Sequence, residues 1–226
     1  TSRRQRQMCI RDRDRSYSFR VLRALKNRFG STNESGIFSM EASGLQEISN
    51  PAGLFLEERS NDASGSVVCA CLEGNRPILV EVQALVAKTP YGMPRRTAVG
   101  FDYNRVTMLL AILERRLGMD FGAYDAYVNV VGGMRVTEPA ADLAVAAALV
   151  SSYRNRPIPH GVLVMGEVGL TGEVRRIGSP ERRIKDAMNL GFKRFVLPMG
   201  KLSLDEPCNG VVQVKTLEEA LDKVFA

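Results

Sequence analysis

The sequence predicts an α/β fold, and three observations carry that prediction. Two β-rich runs, residues 66–73 and 78–87, flank Gly74-Asn75-Arg76-Pro77 and read as a hairpin. Residues 104–117 place Val106, Leu109, Leu110 and Leu113 at helical spacing, with Gly118 just past the end. Beyond that helix, short strands and helices alternate over short links, which is the pattern of an α/β domain.

In chain order, residues 1–14 show no apolar period, alternate Arg with polar residues, and are expected to lack structure; a basic nucleic-acid-binding arm is the functional alternative. Residues 19–25 and 36–40 read as two strands joined by a turn containing Gly30, Ser31, Asn33 and Ser35. Between them stands Lys26-Asn27-Arg28-Phe29-Gly30. On extended backbone Lys26 and Arg28 share a face, a pairing suited to a phosphate-rich partner, and Phe29 anchors the opposite face. A solvated basic hairpin is the plainer reading. Residues 43–48 suggest a helical turn ended by Asn50-Pro51. The polar, turn-rich stretch 59–65 is the expected domain boundary.

Within the second domain, residues 89–100 read as a loop with Pro90, Gly92, Pro94 and the pair Arg95-Arg96. A strand over 126–131 turns at Gly132-Gly133. Thr137 is expected to cap a helix over 138–153, with Pro139 in its first turn. A strand over 162–165, a turn and strand over 169–174, and a helix over 181–189 closed by Gly191 follow. Strands at 194–197 and 211–214 and a helix over 217–224 complete the order.

The 226 residues are 45% apolar and 25% charged, an ordinary globular composition. The longest apolar run, from Leu143 to Val150, is far short of the ~20 residues that span a bilayer. With no signal-peptide pattern at the start, a cytoplasmic protein that avoids membranes is expected. The net charge of +6 is unevenly distributed: residues 1–30 hold ten Arg or Lys against two Asp, and the remainder hold 21 against 23. Any basic surface on the globular part must therefore arise by local clustering. Cys9, Cys69, Cys71, Cys208 and the single His160 have no metal-ligand spacing. Cys69 and Cys71 are expected to share the core face of a strand.

Lys26-Asn27-Arg28-Phe29-Gly30-Ser31-Thr32-Asn33-Glu34 resembles the signature segment of the bacterial RadA (Sms) family of DNA repair and recombination ATPases. The resemblance runs from 15 to 226 and includes Leu56-Glu57-Glu58-Arg59, Val80-Glu81-Val82-Gln83-Ala84-Leu85-Val86 and Gly166-Glu167-Val168-Gly169-Leu170-Thr171-Gly172-Glu173. It implies that residues 15–58 are the last hairpin of a RecA-like ATPase core and that 66–226 form a Lon-protease-like domain of the ribosomal protein S5 domain 2-like type. It further implies a hexameric ring working on single-stranded and branched DNA in recombinational repair and branch migration, alongside a RecA-type recombinase. Lys26 and Arg28 would then act in trans on ATP held by a neighbour, with Mg²⁺ there and Zn²⁺ in a cysteine knuckle. The sequence has neither that knuckle nor a Gly-rich phosphate loop. Residues 1–14 do not match the family, and a truncated fragment with foreign sequence at its start is expected.

The Lon resemblance implies a Ser–Lys dyad, but the positions that match it hold Ala140 and Arg183. Alanine has no nucleophile, and arginine keeps its proton in any protein setting, so peptidase activity by this route is not expected. Ser179 with Lys185, or Ser151 and Ser152, are the alternative hydroxyl and amine sources; the latter pair reads as helix-end capping. DNA contact is expected from Arg95, Arg96 and Arg105, and from Arg175 and Arg176 near Arg182, Arg183 and Lys185. Tyr91, Phe101 and Tyr103 could stack on bases. Internal ion pairs of Arg182 and Arg183 with Glu181 or Asp186 are the competing assignment. An active Lon-type peptidase and an oligomerisation module without DNA are the rival functions.

Overall fold

The computed structural model describes residues 63–226, apart from Asn75, Tyr91 and 205–207, and four strands upstream of them. Those four are β1 (Ile10–Arg11), β2 (Phe19–Arg23), β3 (Ser35–Glu41) and β4 (Gly44–Glu47), an antiparallel sheet in sequence order. The expected hairpin is β2–β3, with Val21 opposite Ile37. Two expectations change here. Ile10–Arg11 pairs with β2 inside the stretch expected to lack structure. Residues 44–47 form a strand on β3 in place of a helical turn, because Gly44 takes φ +117° and reverses the chain so that Leu45 meets Met40. Lys26 to Glu34, which includes the paired cations, lies outside the described residues.

Residues 66–226 build a mixed α/β unit. Its elements are β5 (Ser66–Glu73), β6 (Arg76–Lys88), β7 (Arg96–Val99), α1 (Tyr103–Leu117), β8 (Tyr124–Val130), α2 (Asp142–Tyr153), β9 (Val162–Val164), β10 (Glu167–Val168), β11 (Val174–Arg175), α3 (Pro180–Asn189), β12 (Arg194–Pro198), β13 (Val211–Val214) and α4 (Leu217–Phe225). A seven-stranded sheet runs β13-β12-β9-β5-β6-β8-β7, and β10–β11 form a separate hairpin. The pairs β13/β12, β12/β9, β9/β5 and β8/β7 are parallel, while β5/β6 and β6/β8 are antiparallel. Strand β7 corrects the predicted loop over 89–100. The Pro and Gly signals there cover only its first half, and Arg96–Val99 then pairs with β8.

The two faces of the sheet follow from the strand period of two. Val67, Cys69 and Cys71 of β5 and Ile78, Val80, Val82 and Ala84 of β6 face the larger core with α1, α2 and α4. Val68, Ala70 and Leu79 face a smaller core closed by Ile184 and Ala187 of α3. Helix α2 is apolar on nearly every side and lies buried from Asp142 to Ser151, as such a helix must. Burying a side chain of Leu149's size contributes roughly 1.5–3 kcal/mol. Cys69 and Cys71 do share the core face, with sulfurs 3.6 Å apart.

Two glycines allow close approaches of the backbone. Gly65 takes φ +87° at the predicted boundary, and a Cβ there would collide with the Ala84 carbonyl oxygen. Gly100, at φ +74°, lets the β7–α1 link lie against residues 134–136, and its carbonyl accepts from the Val136 N–H at 2.8 Å. No helix among the described residues is long and apolar enough to cross a membrane.

Candidate functional site

The chain enters α2 through a 3-10 turn, Pro139–Ala141, in place of the continuous helix expected from 138. Glu138 takes the N-cap position without a side-chain cap bond, so Thr137 is not the cap. The reason is that the Glu138 carboxylate is engaged elsewhere. It pairs with Arg183 of α3 through both guanidinium NH groups, with Nη1 at 3.0 Å from Oε2 and Nη2 on Oε1. Its Oε2 also accepts from the Leu72 N–H of β5 at 2.7 Å. Arg183 is fully buried, and it donates to the carbonyl oxygens of Ala70 and, at 2.8 Å, of Gly178. Neither Glu181 nor Asp186 is its partner in the ion pair. Ala140 is buried two residues beyond Glu138, and its carbonyl accepts from Gly166 N–H at 2.8 Å. One carboxylate therefore ties α3 and β5 to the turn that carries Ala140. Cys71 lies near this pair, and its thiol is pushed well up by its hydrogen bond to Cys69 and by burial.

A second carboxylate, this one fully buried, stands four residues on. Asp142 receives Arg105 Nε at 2.7 Å and Nη2 as well, and accepts from Val168 N–H at 3.1 Å. Burial pushes the Asp142 carboxyl up while these donors pull it down; the same hydrogen bond holds Arg105 more firmly protonated than a free arginine. Beside this pair is a cleft of about 330 Å³, lined by Phe101, Asp102, Arg105, Arg135, Thr137 and Glu138 among others. Arg135 is exposed on it.

The predicted basic residues have different surroundings. Arg95 is exposed, and its backbone N–H, donated to Asp125 at 2.8 Å, holds that carboxyl below its usual range. Arg96 is half-buried and donates to the carbonyl oxygens of Tyr124 and, at 2.6 Å, Phe121. Arg105 is committed to Asp142. Arg175 pairs with Glu173, with Nε at 2.8 Å and Nη2 at 2.6 Å from Oε1. Arg176 is exposed and, among the described residues, makes only a long bond, 3.4 Å, to the Met199 carbonyl. Arg182 and Lys185 are exposed beside a cavity of about 340 Å³ that Glu181, Ser203 and Leu204 also line. Phe101 is half-buried against the core and Tyr103 is exposed, whereas Tyr91, Lys26 and Arg28 fall outside the described residues.

Hydroxyls offered as alternatives have structural partners or odd geometry. Ser151 is buried, accepts from Gly65 N–H at 2.8 Å and donates to the Arg156 carbonyl at 2.6 Å. Ser152 accepts from Val86 N–H at 2.9 Å. Ser179 opens α3 in the left-handed region at φ 51° with no side-chain cap bond. Among the described residues no group of three or more His, Cys, Asp or Glu is placed to hold a metal ion. The sequence also lacks a Gly-rich phosphate loop for a nucleotide. Sequence reasoning missed Glu138, Asp142 and Arg135. The available signal was the pair of acids four apart around Pro139-Ala140-Ala141, at the mouth of a helix too apolar to be exposed.

The family model ChlI, described as subunit ChlI of Mg-chelatase, matches residues 83–201, more than half of the chain. The DNA repair protein RadA of Halalkalibacterium halodurans is 50% identical over 213 residues, covering 92% of this chain and 46% of that protein. The RadA of Bacillus subtilis is 50% identical over 210 residues, with the same two coverages. That of Pseudomonas aeruginosa is 51% identical over 207 residues, 91% of this chain and 46% of its own. The chain thus spans about half the length of the curated relatives it matches.

Proposed function

Because the chain belongs to the RadA family of DNA repair proteins and carries the ChlI family's domain, we propose that it serves DNA repair as part of a RadA-type, DNA-dependent ATPase. The observation that carries this reading is the identity near 50% across 92% of the chain to proteins named for DNA repair. The process would be branch migration of recombination intermediates in the cytoplasm, with a RecA-type recombinase as partner. Residues 66–226 would be a Lon-like platform without peptidase chemistry, since alanine at 140 and a paired arginine at 183 supply neither nucleophile nor base. That platform would help assemble a hexameric ring and hold single-stranded or branched DNA. Lys26 and Arg28 would place positive charge on the γ-phosphate of ATP bound by a neighbouring subunit.

For DNA contact, Arg95 and Arg176 are the arginines of choice. Both are exposed, and among the described residues neither guanidinium is bound to a carboxylate. Arg96, Arg105 and Arg175 already spend donors inside the protein, so they would contribute less. The test is binding of a fluorescent single-stranded oligonucleotide across a salt series, with the assembly state measured in parallel. If two phosphate contacts are lost, Arg95→Ala/Arg176→Ala should flatten the log–log salt slope by about 1.4, since each contributes roughly 0.7 on single strands. An unchanged slope with unchanged assembly would remove these two residues from the DNA path. Absence of binding by the parent chain would leave the domain a subunit spacer.

A further inference from the structure

The inference rests on the reading that Ala140 and Arg183 stand where a nucleophile and a base once worked. Under that reading, two substitutions account for the missing chemistry. The structure adds a third residue. Glu138 precedes Ala140 by two positions, and its carboxylate is held by Arg183 and by the Leu72 N–H at 2.7 Å. The head of Arg183 is fully buried among acceptors: both Glu138 oxygens, the Ala70 carbonyl and the Gly178 carbonyl. Such a pocket favours a cation.

We propose that Glu138 is a third inactivating residue, which would ion-pair with a lysine restored at 183 and so keep the site silent even with serine restored at 140. In a Ser–Lys dyad the serine proton passes to a neutral amine as the oxygen attacks the carbonyl carbon. An ammonium has no lone pair to receive that proton. Lysines become neutral near pH 7 through apolar burial or a neighbouring cation. Position 183 offers the reverse, with three acceptor groups around the head and a half-buried carboxylate that would lose its counter-charge if the amine lost its own. Restoring the dyad residues alone therefore restores the atoms without the protonation state.

The experiment titrates the introduced amine directly. Arg183→Lys/Ala140→Ser is labelled with ¹³C-lysine, and the resonance absent from the parent spectrum is followed against pH, with and without Glu138→Gln. With Glu138 present, the lysine introduced at position 183 should stay protonated to at least the free-lysine value of ~10.4. With Glu138→Gln it should titrate lower by about two pH units or more, in line with a buried lysine that has lost its counter-charge. An introduced lysine that is neutral below about pH 8 with Glu138 in place overturns the proposal, as does a value that Glu138→Gln does not move. Should the double substitution fail to fold, Arg183→Lys alone gives the same titration. The dyad reading is tested separately by oxidising Ala140→Cys/Arg183→Cys in the Glu138→Gln background and mapping the products by mass spectrometry. A 140–183 bridge supports it. Failure to bridge in the folded protein overturns the dyad assignment whatever the titration shows.

Discussion

Arg175 and Arg183 lie eight residues apart, each beside a glutamate, and their environments are opposite. Arg175 sits on the β10–β11 hairpin, with its side chain 59% exposed and that of Glu173 33% exposed. Arg183 projects from α3 into the protein, with its side chain 0% exposed and that of Glu138 24% exposed. The hairpin pair joins residues two apart and exchanges water for a carboxylate at little net gain. The α3 pair joins residues 45 apart and ties three elements together, so its loss would strand a carboxylate at an interior seam. A basic cluster in sequence is thus not a basic surface. Of Arg175, Arg176, Arg182, Arg183 and Lys185, one is interior and one is neutralised by its hairpin neighbour.

The largest expected effect tests that contrast head on. Arg183→Met should destabilise the chain by about 3–5 kcal/mol in chemical denaturation, because a buried partner is removed from its counter-charge. Arg175→Met should cost no more than ~1 kcal/mol. Adding Glu138→Gln to Arg183→Met should recover part of the loss, since the stranded charge goes with it. Equal costs for the two arginines would break the comparison. A smaller effect sharpens it with a neutral group. Ser151→Ala leaves the Gly65 N–H and the Arg156 carbonyl without their hydroxyl partner and should cost about 1–3 kcal/mol. The same change at exposed Ser203 should stay within about 0.5 kcal/mol.

Most of the α/β order was legible in the sequence because its signals are local. The β5–β6 hairpin signal, the spacing of Val106, Leu109, Leu110 and Leu113, and Gly118 after α1 depend on neighbours along the chain. Strand β7 was not legible, because Arg96–Val99 is held by a parallel partner thirty residues away. The site was legible in part. Ala140 and Arg183 could be named as candidate positions through the Lon resemblance, but the partner of Arg183 could not. Glu138 is 45 residues upstream, whereas Glu181 and Asp186 are helix neighbours, and sequence spacing favours the near pairs. What decides is that Arg183 lies on the buried face of α3, with Ile184 and Ala187. The commitment of Arg105 was hidden for the same reason, since its carboxylate lies on another helix.

The smallest effect concerns the hairpin itself and is a matter of pH. Glu173 accepts from Thr171 Oγ1, from Thr171 N–H at 3.2 Å and from Arg175, which holds its carboxyl down to about 2 from an ordinary 4.5. A depressed carboxyl stabilises the folded form above its unfolded value and loses that contribution as pH falls through its folded one. The hairpin should therefore be fully braced above pH 4.5 and should loosen progressively down to about pH 2. Because the group is open to water, the loosening should be local and leave the core intact. Amide exchange of Thr171, corrected for its intrinsic pH dependence, should show protection falling across that window while Leu149 in α2 keeps its own. Glu173→Gln should abolish the pH dependence at Thr171. Loss of protection in both places at the same pH would mean that the hairpin and the buried seam are one cooperative unit, and that the contrast between the two arginines is one of exposure alone.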